Sequence, residues 1–90
     1  MVLDKRWKEF LSLGTPATYR ILVLGELDQS WSDRLAGMAI SVDAHEEVGR
    51  VSTLLGLLKD QAELSGVLNS LYELHLPLLS VKVLNNDEDI

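Results

Sequence analysis

The stretch from Asp60 to Leu84 constrains the fold most, because it predicts a helix, a sharp corner and a strand in direct succession. Asp60 is a favourable N-cap residue, and Glu63 stands three positions later, where the carboxylate of a capping box belongs. Apolar residues then recur at helical spacing, namely Leu64, Val67, Leu68, Leu71 and Leu74. Pro77 cannot continue a helix, and apolar and polar side chains alternate after it. The stretch therefore predicts a helix over 61–75 and a strand over 78–84.

Upstream of this stretch, hydrophobic periodicity predicts three further strands and a short helical turn. Residues 19–27 form a strand that is partly apolar on both faces at its centre, which is typical of a central strand. Residues 28–37 form a loop and a helical turn, which Asp28 or Ser30 can cap and Gly37 can end. Residues 38–44 and 51–58 alternate as two more strands, and a polar hairpin loop joins them. Gly25 marks a bulge or a close approach of the backbone to another group.

The order of these elements predicts an α+β domain of the ferredoxin-like type, β-α-β-β-α-β, in which the first helix is stunted. In that plan, four antiparallel strands lie in the order 4-1-3-2, and both helices cover one face of the sheet. An extra helix is predicted over residues 3–13. The chain then divides into an N-terminal amphipathic helix and linker at 1–16, an α/β-plait domain at 17–84 and an acidic, disordered tail at 85–90.

Charge and composition argue against several classes of function. The chain has 90 residues and a net charge of −6, which opposes nucleic acid as a partner because phosphate backbones require a basic face. It contains no cysteine, so neither a disulfide framework nor a thiol nucleophile is available. No stretch approaches the roughly 18 apolar residues of a membrane span, and charged residues interrupt the N-terminus where a signal peptide needs an apolar core. We therefore expect a cytoplasmic domain that does not bind membranes.

The residues that could carry chemistry are isolated from one another in the sequence. His45 lies beside two glutamates, but adjacent residues on one loop seldom converge on a metal, and no third ligand is placed. His75 lies near a helix end, where a cation is mildly favoured. Ser32 and Asp33 are adjacent, but no Gly-x-Ser-x-Gly motif surrounds a serine and no phosphate-binding glycine loop occurs. We predict no catalytic residue, no cofactor and no metal, and Trp31 is interpreted as a core residue.

Four short motifs resemble a group of small, uncharacterised bacterial and archaeal proteins. They are Tyr19-Arg20-Ile21 at the start of a strand, Trp31-Ser32-Asp33, the pattern Gly-x-Leu-x-Asp-Gln-Ala that begins at Gly56, and Leu76-Pro77-Leu78-Leu79-Ser80. The resemblance covers roughly residues 19–84 and implies an isolated domain without an assigned activity. Many members of the group begin near the first strand, so the predicted helix at 3–13 is the distinctive part of this chain.

Two apolar surfaces lead to the predicted function. The ferredoxin-like plan leaves one sheet face bare, and we expect Leu22, Leu24, Leu54 and Leu58 to line it. The predicted N-terminal helix supplies a second surface, made of Leu3, Trp7, Phe10 and Leu11. Exposed patches of this kind usually mark interfaces.

We therefore predict a non-enzymatic interaction domain that assembles with copies of itself through the open sheet face or a strand edge, as a dimer or a larger homo-oligomer. It would act as an adaptor, a regulator or a subunit, and the N-terminal helix would provide a site for another protein. Two alternatives stay open, namely a small-molecule-sensing regulatory domain and a small dimeric enzyme without a cofactor. Both need a concave pocket with converging polar groups, whereas an interaction domain needs only the apolar patch.

Overall fold

The computed structural model of the chain describes residues 16–84. Its elements follow in the order β1 (Ala17–Leu24), a 3-10 helix (Gln29–Leu35), β2 (Ala39–His45), β3 (Gly49–Leu58), α1 (Gln61–Glu73) and β4 (Leu78–Leu84). The mixed α+β class and the predicted succession of strands and helices over this range are confirmed. The predicted helix at 3–13 and the acidic tail at 85–90 lie outside the described residues. Within the described range, no helix is long and apolar enough to span a membrane.

The four strands form one sheet in the order β2-β3-β1-β4, and every neighbouring pair is antiparallel. β1 and β3 are therefore the central strands, and β2 and β4 are the edges. Counted from β4, the order is 4-1-3-2, which is the strand order expected from the sequence. β2 and β3 form a hairpin, whereas the 3-10 helix and α1 make the two longer connections.

Side-chain hydrogen bonds define the start of α1. The Asp60 carboxylate accepts a hydrogen bond from the Glu63 N–H at 2.9 Å, and the Glu63 carboxylate accepts one from the Lys59 N–H at 2.9 Å. The first of these bonds satisfies a backbone donor that a helix start leaves without an intrahelical partner, and the second fixes the chain just before it. The predicted N-cap is thus confirmed.

The end of α1 differs from the prediction by two residues. The helix stops at Glu73 because His75 takes a left-handed conformation, with φ of 60°. The His75 N–H donates to the Tyr72 carbonyl at 2.9 Å, and the Leu76 N–H donates to the Leu71 carbonyl at 3.2 Å. These two bonds form a Schellman motif, which ends a helix by satisfying its last carbonyls.

β4 pairs with β1 along its length, and one irregularity interrupts the pairing. Ser80 lies opposite Leu22, whereas Leu78 lies opposite Val23. Leu79 is therefore an extra residue, which forms a β-bulge near the start of the strand. The ladder on the C-terminal side of the bulge is regular.

The hydrophobic core lies between one face of the sheet and the two helices. Its largest fully buried apolar side chains are Ile21, Leu35, Met38, Leu54, Leu58 and Leu71. α1 contributes Val67 and Leu71 from its predicted apolar stripe, while Leu64 and Leu68 pack against the core with partial exposure. Trp31 of the 3-10 helix also packs against this cluster, which agrees with its interpretation as a core residue.

A fully buried serine connects the end of β1 to β3. Ser52 is 0% exposed, and its hydroxyl donates to the Gly25 carbonyl at 2.7 Å while it accepts from the Leu27 N–H at 2.8 Å. Gly25 has φ of 120°, and a Cβ atom at this position would lie 2.8 Å from the Leu76 side chain. The backbone conformation therefore favours glycine here, and a larger residue would also have to displace the end of the Leu76 side chain.

The 3-10 helix is the stunted first helix of the prediction. The Asp28 carboxylate caps it by accepting a hydrogen bond from the Ser30 N–H at 3.0 Å. Hydrogen bonds from the side chain and then the backbone of Ser30 lower the pKa of the Asp28 carboxyl. The helix ends at Leu35 because Ala36 and Gly37 are both left-handed, with φ of 58° and 72°. The predicted cap and the predicted glycine end are both confirmed.

Candidate functional site

The side of the sheet opposite the core forms a second surface, which we call the open face. Strand alternation places these residues on it: Thr18, Arg20, Leu22 and Leu24 of β1; Val51, Thr53, Leu55 and Leu57 of β3; Ser80, Lys82 and Leu84 of β4; and Ala39, Ser41, Asp43 and His45 of β2. Both described helices pack on the other side, because their buried residues join the core cluster. Within residues 16–84, the open face is thus the sheet surface that no helix covers.

Apolar side chains occupy the centre of the open face. Leu57 is 64% exposed and Leu55 is 43% exposed, while Leu22 and Leu24 are half-buried and Val51 is buried. All five belong to the two central strands, which pair with each other along β1. An apolar centre with a polar rim is the usual anatomy of a protein interface.

Two of the four residues predicted for this face lie on it, and the other two do not. Leu22 and Leu24 are on the open face, but Leu54 and Leu58 are 0% exposed and belong to the core. The prediction was wrong for Leu54 and Leu58 because Leu54 lies opposite Ile21, and directly opposite residues share one side of a sheet. Because both side chains are buried in the core under the helices, they are not accessible to a partner.

The sequence reasoning missed Leu55 and Leu57 as residues of the open face. Leucines occur on both sides of β3, so the alternation alone does not decide which set points outwards. A polar residue accompanies each set, since Thr53 lies on the open face and Ser52 in the core. No local signal in β3 therefore identifies its exposed side, and the pairing with β1 is needed.

The remaining interface residues of the prediction, Leu3, Trp7, Phe10 and Leu11, lie outside the described residues. The described chain begins at Pro16 and enters β1, a central strand, at the next residue. The role of those four residues as a second apolar surface stays a prediction.

Charges divide the open face into a positive and a negative side. Arg20 of β1 lies directly opposite Lys82 of β4, and neither forms an ion pair with another described residue. Like charges at opposed positions destabilise a sheet. Asp43 lies on the same face but at the β2 edge. The face is therefore basic towards β4 and acidic towards β2.

The histidines, Ser32 and Tyr19, which could in principle carry chemistry, lie on or beside different elements of the fold. Among residues 16–84, no group of three His, Cys, Asp or Glu side chains could hold a metal ion. His45 is exposed at the end of β2, and His75 ends α1 in its left-handed conformation. The Ser32 hydroxyl donates to the Met38 carbonyl at 2.7 Å, which fixes the turn after the 3-10 helix. Burial raises the pKa of the Tyr19 phenol, whose side chain packs in the core.

An apolar groove lies beside the β4 edge, on the helix side of the sheet. It has a volume of about 270 Å³ and is lined by Leu68, Leu71, Tyr72, Leu76, Pro77 and Leu78. We call it the Tyr72 groove, because Tyr72 is 80% exposed at its margin. A second, more open depression is lined by Ser30, Trp31 and Arg34, where the guanidinium lies 5.3 Å from the indole centroid.

Comparison with known proteins places the domain in a family. A family model described as a domain of unknown function, DUF8691, matches residues 18–82. This range begins in β1 and ends in β4, so it contains the whole of the 3-10 helix, β2, β3 and α1. It agrees with the resemblance to uncharacterised proteins over roughly residues 19–84. No curated protein and no solved structure matches the chain.

Proposed function

We propose that this chain, which belongs to the DUF8691 family of domains of unknown function, is a non-enzymatic interaction domain that assembles with copies of itself through the open face. The observation that carries the proposal is the exposure of Leu55 and Leu57, at 43% and 64%, on the central strand β3 of a sheet face that the described helices leave uncovered. The domain would serve as an adaptor, a regulator or a subunit in the cytoplasm.

Burial of the exposed leucines provides the driving force. Each Å² of apolar surface removed from water contributes about 25 cal/mol, and fully burying a leucine contributes about 1.5–3 kcal/mol. A twofold dimer places Leu55 and Leu57 of both copies in one interface, together with the half-buried Leu22 and Leu24. In such a dimer, the leucines of one open face would contact the leucines of the other.

The charges on the face support pairing about a twofold axis that runs parallel to the strands. Such an axis places the β4 edge of one copy over the β2 edge of the other. Lys82 then lies over the acidic side of the other copy's face and away from that copy's basic side, although the register sets it level with Ala39, about 13 Å along the strand from Asp43. This separation of like charges favours the orientation in which the β4 edge of one copy lies over the β2 edge of the other.

The proposal extends to the architecture and to the N-terminal segment. The strand order and the placement of both described helices on one side support a ferredoxin-like plan with a shortened first helix. The helix predicted at 3–13 would cover further apolar surface and offer a site for another protein.

The lining of the Tyr72 groove favours interaction over sensing or catalysis. The Tyr72 groove is lined mainly by aliphatic side chains and proline, without converging charged groups. A site for a small polar ligand or for a reaction requires such groups. A surface that binds another protein through apolar contacts does not require converging charged groups.

Sedimentation equilibrium of the full chain tests the proposal. We expect the wild type to be a dimer or larger, and the double variant Leu55→Glu/Leu57→Glu to have a lower mass because it would bury two charges in the interface. Val48→Glu is the matched control, since Val48 is 53% exposed in the β2–β3 turn and lies outside the open face. A wild type that stays monomeric at high micromolar concentration would overturn the proposal. Equal dissociation by the control would also overturn it.

A further inference from the structure

The β4 edge carries a second group of exposed apolar side chains, separate from the centre of the open face. Leu78, Leu79 and Val81 are 52%, 49% and 40% exposed, and Tyr72 is 80% exposed at the adjacent groove. In the described part of the chain, β4 pairs with β1 alone. Its outer backbone N–H and C=O groups are therefore available to another strand.

The other edge of the sheet has the opposite character. β2 is exposed along most of its length, and its side chains there include Ser41, Asp43 and His45. Charged and polar residues on an edge strand discourage pairing with further strands. β4 also carries a lysine, Lys82, and a bulge at Leu79, but the ladder after the bulge is regular and three of its apolar side chains are exposed, which is not the case in β2. The contrast indicates that β4 is the edge suited to pairing.

We propose that β4 pairs antiparallel with β4 of a second copy, in the register that places Val81 opposite Val81. The proposal concerns a surface different from the open face and shares with the proposed function only the identity of the partner. The two sheets would then join into one continuous sheet across a twofold axis perpendicular to it. Both copies of α1 would lie on the same side of that sheet.

The sequence of β4 selects the second copy as the occupant. Directly opposite residues lie on one side of a sheet, so a symmetric pairing of identical strands must centre on one residue. Centred on Val81, the pairing sets Leu79 against Val83 and Ser80 against Lys82, so that apolar residues meet apolar ones and the lysine meets a hydroxyl. A strand with a different sequence would have to reproduce this alternation to fit as well.

The neighbouring registers are less favourable. Centring on Lys82 would oppose two ammonium groups, which destabilises a strand pair. Centring on Ser80 would place Lys82 against Leu78 and leave Val83 opposite Pro77, which has no N–H to donate. Of these three registers, the one centred on Val81 is therefore the most favourable, because it pairs apolar residues with each other and does not oppose like charges.

The Tyr72 groove extends this interface on the helix side. Its lining includes Leu78 at the start of β4. In an antiparallel pair centred on Val81, the start of one β4 faces the end of the other, where Val83 lies on the helix side of the sheet, the side of the groove. Each groove would thus receive the terminal part of the partner strand, and the exposed rings of Tyr72 would flank the junction.

Single cysteine variants of the full chain test the pairing, because the natural sequence contains no cysteine and a disulfide can form only between copies. Opposed residues in an antiparallel pair have Cα atoms about 4.5–5.5 Å apart, which lies within the range of about 4.4–6.8 Å for disulfides. With dissolved oxygen as the oxidant, we expect Val81→Cys to form a cross-linked dimer at least several-fold faster than Val48→Cys, the matched control in the β2–β3 turn. Equal rates for the two variants would overturn the proposal.

The register is tested by a mixture. Ser80→Cys and Lys82→Cys should each cross-link slowly alone and rapidly when mixed, since the pairing opposes these two positions. Rapid cross-linking of Lys82→Cys alone would overturn the proposed register.

A background variant separates this proposal from the proposed function. In the Leu55→Glu/Leu57→Glu background, Val81→Cys should cross-link as fast as in the natural background. Loss of cross-linking there would show that the contact depends on the open face and would overturn an independent edge interface. Persistent cross-linking would support it, whatever the fate of the open-face dimer. Circular dichroism of every variant confirms that the fold is retained.

Discussion

Replacement of Ser52 by alanine would remove a side-chain hydroxyl that bonds the chain where it leaves β1. The Ser52 hydroxyl donates to the Gly25 carbonyl and accepts from the Leu27 N–H, at 2.7 and 2.8 Å. The residue is 0% exposed, so water cannot replace the lost oxygen without opening the core. Alanine has nearly the same shape, and the experiment therefore isolates the two hydrogen bonds.

The size of the effect follows from these contacts. A typical intramolecular hydrogen bond contributes about 0.5–1.5 kcal/mol, and a buried polar group left without a partner costs about 1–3 kcal/mol. Loss of two bonds that leaves the Leu27 N–H unsatisfied should lower the free energy of unfolding by about 2–4 kcal/mol. Domains of this size lose about 4–8 °C in Tm for each kcal/mol, so we expect a decrease of about 8–32 °C.

Thermal and urea unfolding followed by circular dichroism measure this change. Ser41→Ala is the matched control, because Ser41 is exposed on the neighbouring strand, and its substitution should change the free energy of unfolding by less than about 0.5 kcal/mol. If the free energy of unfolding of Ser52→Ala lies within about 0.5 kcal/mol of the wild-type value, the two hydrogen bonds do not stabilise the loop and the reasoning fails.

Three further changes test the core, the helix end and the response to pH. Leu71→Ala should lower the free energy of unfolding by about 2–5 kcal/mol, because Leu71 is buried. Leu68→Ala should lower it by less, because Leu68 is only half-buried. Equal losses for the two variants in urea unfolding would contradict this order. His75→Gly should raise the free energy of unfolding by about 0.5–1 kcal/mol, because glycine adopts the left-handed conformation without strain; a lower Tm would argue against it. Burial raises the pKa of Tyr19 above its usual 10.0, so the stability due to its neutral form is present below that pH and is lost as the pH rises through the folded-state pKa. Tyr19→Phe should make the alkaline decline in Tm shallower, and an unchanged slope would contradict the assignment.

The local features of the fold were predictable from the sequence. Asp60 with Glu63 defines a helix start through bonds between residues three and four positions apart, and Asp28 caps the 3-10 helix over two positions. Pro77 separates α1 from β4 by its own geometry. Each of these signals acts within a few residues, so a single sequence contains the whole interaction.

Features that depend on distant pairing were not predictable in the same way. Leu54 and Leu55 are chemically equivalent neighbours, and only the pairing with Ile21 of β1 decides that Leu54 points into the core. Ser52 bonds to Gly25 and Leu27, which lie 27 and 25 positions away. No periodicity reports such a contact. The error in the candidate interface therefore lies in the register between strands and not in the identification of the strands.

The two proposed contacts together predict how large an assembly can grow. The axis of the open-face dimer runs parallel to the strands and lies between the two stacked sheets, above the centre of each, whereas the axis of the β4 pair is perpendicular to the sheet at its edge. These axes do not meet, and contacts that do not close on themselves generate an open chain. The mean mass of the wild type should therefore rise continuously with concentration beyond that of a dimer, as measured by sedimentation equilibrium. Val81→Lys and Leu55→Glu/Leu57→Glu should each stop growth at the dimer, because each removes one contact and leaves the other. A wild type that saturates at a tetramer would show that the axes intersect and that the open-face orientation argued from Asp43 and Lys82 is incorrect.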